Sequence, residues 1–119
     1  MEKIDLTGFI VEDIELVIGK DTYFIPTDPD VESYIFLLGY LQSEIGTEKY
    51  YKSLQNFIIS LIVNYNKGKE IDTAKIEKEL GPTAMEQFMK PYVDILIDKG
   101  VLKKVTPPQK EEEKISQPS

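Results

Sequence analysis

The N-terminal part of the chain alternates apolar and polar residues before it changes to a helical repeat. In "DIELVI", Ile14, Leu16 and Ile18 recur at every second position, which predicts a half-buried strand. The following "GKDTYFIP" predicts a turn at Gly19 and a returning strand that ends at Pro26. Because a lone two-stranded hairpin is only marginally stable in water, we expect it to pack on helices or on another subunit.

After the hairpin, apolar residues recur at steps of three and four, which predicts an amphipathic helix. Asp28 is a good N-cap, Pro29 suits the first helical position, and Gly46 suits the residue after the helix. The repeat predicts a single apolar face on this helix, formed by Val31, Tyr34, Ile35, Leu38, Leu41 and Ile45.

Two further helices follow in the middle of the chain. Thr47 is the predicted N-cap of a helix over residues 48–66, and Asp72 is the predicted N-cap of a short helix that stops at Gly81. The longer helix has an apolar stripe formed by Tyr51, Leu54, Phe57, Ile58, Leu61, Ile62 and Tyr65.

A fourth helix is predicted from a capping box, since Thr83 and Glu86 have the required spacing. Pro91 lies inside it and predicts a kink or a break, because proline lacks the backbone N–H and clashes with the preceding turn. Gly100 is the predicted end.

These elements predict a mainly α fold with a short N-terminal β-hairpin and about four helices in one small domain. The domain covers residues 13–105, after an N-terminal segment of residues 1–12. Residues 106–119, "TPPQKEEEKISQPS", hold too little apolar surface to offset the entropy of ordering, so we predict a disordered tail rich in proline and charge.

Composition narrows the function. The chain of 119 residues has no cysteine and no histidine, which excludes thiolate chemistry and removes the commonest general base and metal ligand. All basic residues are lysine, and the net charge of -7 opposes binding to nucleic acid. No apolar run approaches the roughly 18–20 residues that span a bilayer. We expect a protein of the cytoplasm with no cofactor, no metal and no membrane or nucleic-acid partner.

Candidate chemistry is sparse. Asp28, Asp30 and Glu32 in "TDPDVE" are explained by capping and the helix dipole, since no twelve-residue calcium loop surrounds them. Tyr40 and Tyr50 lie off the main apolar stripes of their helices, which makes them the better candidates among the tyrosines for exposed contacts, although a position in the core or at its rim is the favoured interpretation. "DTAKIEKELGPTAMEQFMK" has the outline of a helix–turn–helix, but too few basic residues for a DNA-binding regulator. An acid/base enzyme is the least favoured alternative.

The run "IELVIGKDTYFIPTDPDVESYIFLL" resembles the opening of the small tail assembly chaperones of long-tailed phages, prophages and phage-tail-like elements. The resemblance covers about residues 13–104. It lies in a hairpin of the form apolar-x-I-x-G-K-x-Y-x-I-P before an acidic cap and a helix rich in Leu and Tyr, at Val17, Ile18, Gly19, Lys20, Tyr23, Ile25, Pro26, Asp28, Val31, Tyr34 and Leu38.

The resemblance implies a non-enzymatic protein that binds the tape measure protein during tail assembly, with tail-tube protein as a second candidate partner. The open edge of the hairpin predicts self-association into a homo-oligomer. A small protein-binding adaptor or regulatory module of a mobile element is the alternative. The predicted partner-binding residues are Ile14, Leu16, Ile18, Tyr23, Ile25, Tyr34, Leu38 and Tyr40.

Overall fold

A computed structural model describes residues 2–7 and 11–102. Within that part the chain forms two strands, β1 (Asp13–Ile18) and β2 (Asp21–Pro26), and then four helices. These are α1 (Val31–Gln42), α2 (Glu48–Tyr65), α3 (Thr73–Glu79) and α4 (Pro82–Asp98). The predicted hairpin and helical body are therefore confirmed, whereas the predicted tail, residues 106–119, lies outside the described residues.

The hairpin forms as the alternation predicts. β1 and β2 pair antiparallel, with Ile14 opposite Ile25 and Leu16 opposite Tyr23, so the apolar residues share one face of the sheet. Gly19 has a φ of 61°, which glycine adopts without the strain that a Cβ would cause. The shared face packs inward, and β2 lies against α2.

α2 is the central element, since α1, β2, α3 and α4 all contact it. Its buried side is fully covered at Leu54, Phe57, Ile58, Leu61 and Ile62. Burying side chains of this size stabilises the fold by about 1.5–3 kcal/mol each. Tyr92 of α4 reaches across the core, and its hydroxyl donates to the Pro26 carbonyl at 2.6 Å.

Helix starts follow side-chain caps in three of the four helices. Thr47 and Asp72 cap α2 and α3 as predicted, each accepting from the backbone N–H three residues on. α1 differs from the prediction: its N-cap is Asp30 rather than Asp28, because the Asp30 carboxylate accepts from both the N–H and the hydroxyl of Ser33. α1 ends at Gln42, before the predicted Gly46.

The fourth helix starts earlier than the capping box predicts. Gly81 is the N-cap of α4 and Pro82 is its first residue, which suits a position whose N–H has no helical partner. Glu86 instead accepts from the Tyr50 hydroxyl at 3.2 Å. Pro91 does not split the helix, which runs unbroken to Asp98 before Gly100 takes a φ of 80°.

Candidate protein-binding surfaces

α1 carries apolar side chains on two sides, and only one side is buried. Four residues form what we call the outer face of α1, which points to solvent: Val31 is 76% exposed, Ile35 60%, Leu41 51%, and Ile45, just beyond the helix, 80%. Exposed aliphatic side chains on one face of a helix are typical of a helix that docks on a partner.

Small polar contacts hold the other side of α1 against α2. Ser33 is fully buried and accepts a hydrogen bond of 2.7 Å from the Ser60 hydroxyl. A Cβ placed on Gly39 would lie 3.2 Å from Oγ of Ser53, so the glycine permits close packing of the helices. Leu37, on the same side of α1, is fully buried. Sequence periodicity missed this side because two of its contact residues, Ser33 and Gly39, are small rather than apolar.

The outer face of α1 lies in an acidic stretch of the chain. No lysine occurs between Lys20 and Lys49, whereas six acids do, namely Asp21, Asp28, Asp30, Glu32, Glu44 and Glu48. Burial raises the pKa of Asp30, but hydrogen bonds from Ser33 and Asn64 outweigh it and hold that pKa below its ordinary value. Asp30 thus stays ionised at neutral pH, and a partner with basic side chains beside its apolar residues complements this surface.

A second apolar surface is a groove between β1 and α4, which we call the β1 groove. Its volume is about 460 Å³. Ile14, Leu16 and Val17 line it from the hairpin, and Phe88 and Pro91 line it from α4. Among residues 2–7 and 11–102, the acids on its lining are Glu15 and Glu79, and no lysine lines it. This groove is large enough to take several side chains of a bound segment.

The structure divides the eight predicted partner-binding residues into three groups. Ile18, Tyr23 and Ile25 are buried in the core of their own chain, at 7%, 6% and 1% exposure. Ile14 and Leu16 are half-buried and line the β1 groove. The three on α1, Tyr34, Leu38 and Tyr40, are half-buried.

Tyr50 is 6% exposed and Tyr40 is half-buried, which agrees with the favoured position of these tyrosines in the core or at its rim rather than with exposed contacts. Their rings lie 4.8 Å apart and their hydroxyls 3.3 Å apart. Burial, followed by the contact with Tyr40, raises the pKa of Tyr50 above its ordinary value. The hydroxyl therefore stays protonated and joins α1 to α2 and, through Glu86, to α4.

Other features of the described residues bear on chemistry. In residues 2–7 and 11–102, no three His, Cys, Asp or Glu side chains come together as metal ligands. Over the same part of the chain, no helix combines the length and hydropathy needed to cross a bilayer.

Comparisons with known proteins add no family. The chain matches no protein-family model, and neither the curated proteins nor the solved structures give a significant match. Functional inference therefore rests on the two apolar surfaces and on the resemblance of the hairpin and first helix.

Proposed function

We propose that this protein is a non-enzymatic phage tail assembly chaperone that binds the tape measure protein while the tail is built. It acts in the cytoplasm of the bacterial host, as a homo-oligomer, with tail-tube protein as a second client. No cofactor takes part. The observation that carries the proposal is the outer face of α1, a row of exposed aliphatic side chains on a helix whose opposite side is packed.

The surface suits a helical client. An amphipathic helix can lay its apolar residues against Val31, Ile35, Leu41 and Ile45. The acids in this stretch of the chain then favour a client whose apolar residues are flanked by lysine or arginine. Covering the client's apolar residues keeps it from aggregating, and the complex stays soluble because the chaperone carries a net charge of -7.

Co-expression tests the proposal. The tape measure protein from the same gene cluster is expressed with the wild type, with the double variant Ile35→Asp/Ile45→Asp, or with Val63→Asp. Val63 is also an exposed aliphatic residue, but it lies on α2. We expect the wild type and Val63→Asp to raise the soluble yield of the client and the double variant to lose that effect.

The alternative function, a small protein-binding adaptor or regulatory module of a mobile element, would use the same surface for a different partner. Gene neighbours separate the two: a major tail protein upstream and a very long coiled-coil gene downstream favour the chaperone. No rise in the soluble yield of a verified neighbouring tape measure protein would contradict the chaperone and leave the adaptor.

A further inference from the structure

The two edges of the hairpin differ. On β2 the Asn66 side chain accepts from the Phe24 N–H at 3.0 Å and donates to the Phe24 carbonyl at 2.7 Å. Lys69 Nζ donates to the Thr22 carbonyl at 2.8 Å. Three outward backbone groups of β2, the N–H and carbonyl of Phe24 and the carbonyl of Thr22, are therefore bound by side chains that follow the end of α2, and no further strand can pair there without displacing them.

The pairing register of β1 with β2 shows that the outer edge of β1 is open. Glu15 lies opposite Phe24 and Val17 opposite Thr22. Residues of an opposite pair direct their backbone groups alike, either toward each other or both outward, so Glu15 and Val17 also point theirs outward. Within residues 2–7 and 11–102 the backbone groups of these two residues have no hydrogen-bond partner. β1 can thus accept a further strand.

The open edge adjoins the β1 groove, so a strand paired with β1 would have an apolar wall beside it. That wall is one side of α4, with Ala84, Phe88, Pro91 and Ile95 at helical spacing. Pro91 also has no N–H for the carbonyl of Gln87, four residues earlier. Gln87 lines the same groove, and its carbonyl lacks the donor that a residue other than proline would supply at position 91.

The acidic side chains of the β1 groove favour a bound segment that carries basic residues. Glu15 and Glu79 line the groove, and Glu79 reaches the turn of the hairpin, where a Cβ on Gly19 would lie 2.9 Å from its Oε2. A second copy of β1 would place its own Asp13 and Glu15 against this edge, which like-charge repulsion disfavours, so the proposed homo-oligomer forms through a surface other than this edge. The described N-terminal residues do not fill the groove either, since Ile4 is 88% exposed and Leu6 66%.

We propose that the β1 groove binds an extended segment of the client in which apolar residues alternate with lysine or arginine. The segment pairs with β1 as a third strand, places its apolar side chains against α4 and its basic ones near Glu15 and Glu79. This inference rests on the proposed chaperone function, and it adds a second, extended contact to the helical contact at the outer face of α1.

A short synthetic peptide tests the groove without the client. We titrate the ¹⁵N-labelled full chain with a blocked peptide of alternating lysine and valine, and with its glutamate–valine counterpart, and follow the amide shifts. We expect saturable shifts at Glu15, Val17 and Gln87 with the lysine peptide alone. No saturation, equal binding of the glutamate peptide, or shifts confined to other surfaces would overturn the proposal.

Two proline variants compare the contributions of the two hairpin edges to peptide affinity. Glu15→Pro removes an outward N–H and a carboxylate from β1 and leaves the hairpin ladder in place, whereas Thr22→Pro removes an outward N–H from the closed edge. We expect affinity for the lysine peptide to fall about three- to tenfold in Glu15→Pro and to stay unchanged in Thr22→Pro. Equal affinity in all three proteins would overturn the pairing. The hairpin spectrum shows directly whether each variant keeps its fold.

Pro91→Ala tests the groove in a variant whose loss of peptide binding cannot be explained by unfolding. It returns an N–H to the Gln87 carbonyl and removes the ring from the groove wall, so we expect weaker peptide binding in a more stable protein.

If Glu15→Pro instead turns an oligomer into a monomer in light scattering, a second copy occupies the edge and the proposal is wrong.

The two proposals fail separately. Loss of peptide binding with an intact co-expression effect contradicts the groove alone. Peptide binding without any effect on the tape measure protein contradicts the chaperone function.

Discussion

The side-chain amide of Asn66 pairs with both backbone groups of Phe24, a residue 42 positions earlier in the chain. The same amide also donates to the Ile62 carbonyl at the end of α2. One buried side chain thus ends a helix and closes a strand edge, which leaves β1 as the edge of the hairpin that can accept a partner strand.

Replacing this side chain measures its contribution to stability. We expect Asn66→Ala to lower the free energy of unfolding by about 2 kcal/mol, because the part-buried N–H and carbonyl of Phe24 lose their partner. The Ile62 carbonyl keeps the backbone N–H of residue 66 as its donor. Urea denaturation checks this, with Asn56→Ala as the control, since Asn56 is an exposed asparagine within α2. Equal midpoints for the two variants would contradict the assigned role.

The two sides of α1 differ in their effect on stability. Leu37 is fully buried against α2, so Leu37→Ala should lower the free energy of unfolding by about 2–5 kcal/mol. Ile35 is 60% exposed, and Ile35→Ala should stay within about 0.5 kcal/mol of the wild type. Thermal or urea unfolding compares them. A large loss for Ile35→Ala would mean that the outer face of α1 is covered by its own chain.

Tyr92 makes the fold sensitive to alkaline pH. Burial, followed by Asp28 and Asp30, raises the pKa of Tyr92 above its ordinary value of 10.0. The unfolded chain then loses this proton at lower pH than the folded one, so the stabilisation is complete below pH 10 and declines as the pH rises above it.

Tyr92→Phe separates this effect from the titration of lysines. At pH 7 the variant should lose about 1–3 kcal/mol, since the buried Pro26 carbonyl loses its donor. Its stability should then fall less steeply above pH 10 than that of the wild type. Urea midpoints measured on both sides of pH 10 test this, and parallel curves for the two proteins would contradict it.

Pro91 lowers the stability of α4, in which it occupies an exposed position. Pro91→Ala should raise the free energy of unfolding by about 1–3 kcal/mol, because alanine restores the hydrogen bond to the Gln87 carbonyl and removes the clash of the ring. Thermal unfolding measures the gain. A destabilised Pro91→Ala would contradict this. It would show that packing of the proline ring stabilises the protein by more than the missing hydrogen bond and the clash destabilise it.

Local chemistry in the sequence predicts much of the fold. Alternation locates β1, the β-branched and aromatic residues before Pro26 locate β2, and Gly19 locates their turn. Thr47 and Asp72 mark two helix starts because a cap requires only neighbouring residues. The start of α1 is displaced by two residues, since Asp28 and Asp30 both suit a cap and only the contact with Ser33 decides between them.

Contacts between distant residues account for what the sequence does not predict. The apolar repeat of α1 identifies Val31, Ile35 and Leu41 as one face, but the contact of Ser33 with Ser60 determines that the opposite side is buried. Tyr50 similarly lies off the apolar stripe by its spacing, although Tyr40 and Glu86 enclose it. The closed edge of β2 depends on Asn66, which no local pattern relates to the hairpin.

The central claim is that the outer face of α1 covers apolar surface of the tape measure protein. The most direct measurement is the soluble yield of that protein when it is co-expressed with the wild type or with Ile35→Asp/Ile45→Asp. We predict a clear rise with the wild type that the double variant loses while it keeps its own fold. The same yield with both proteins, or no rise with either, would contradict the claim.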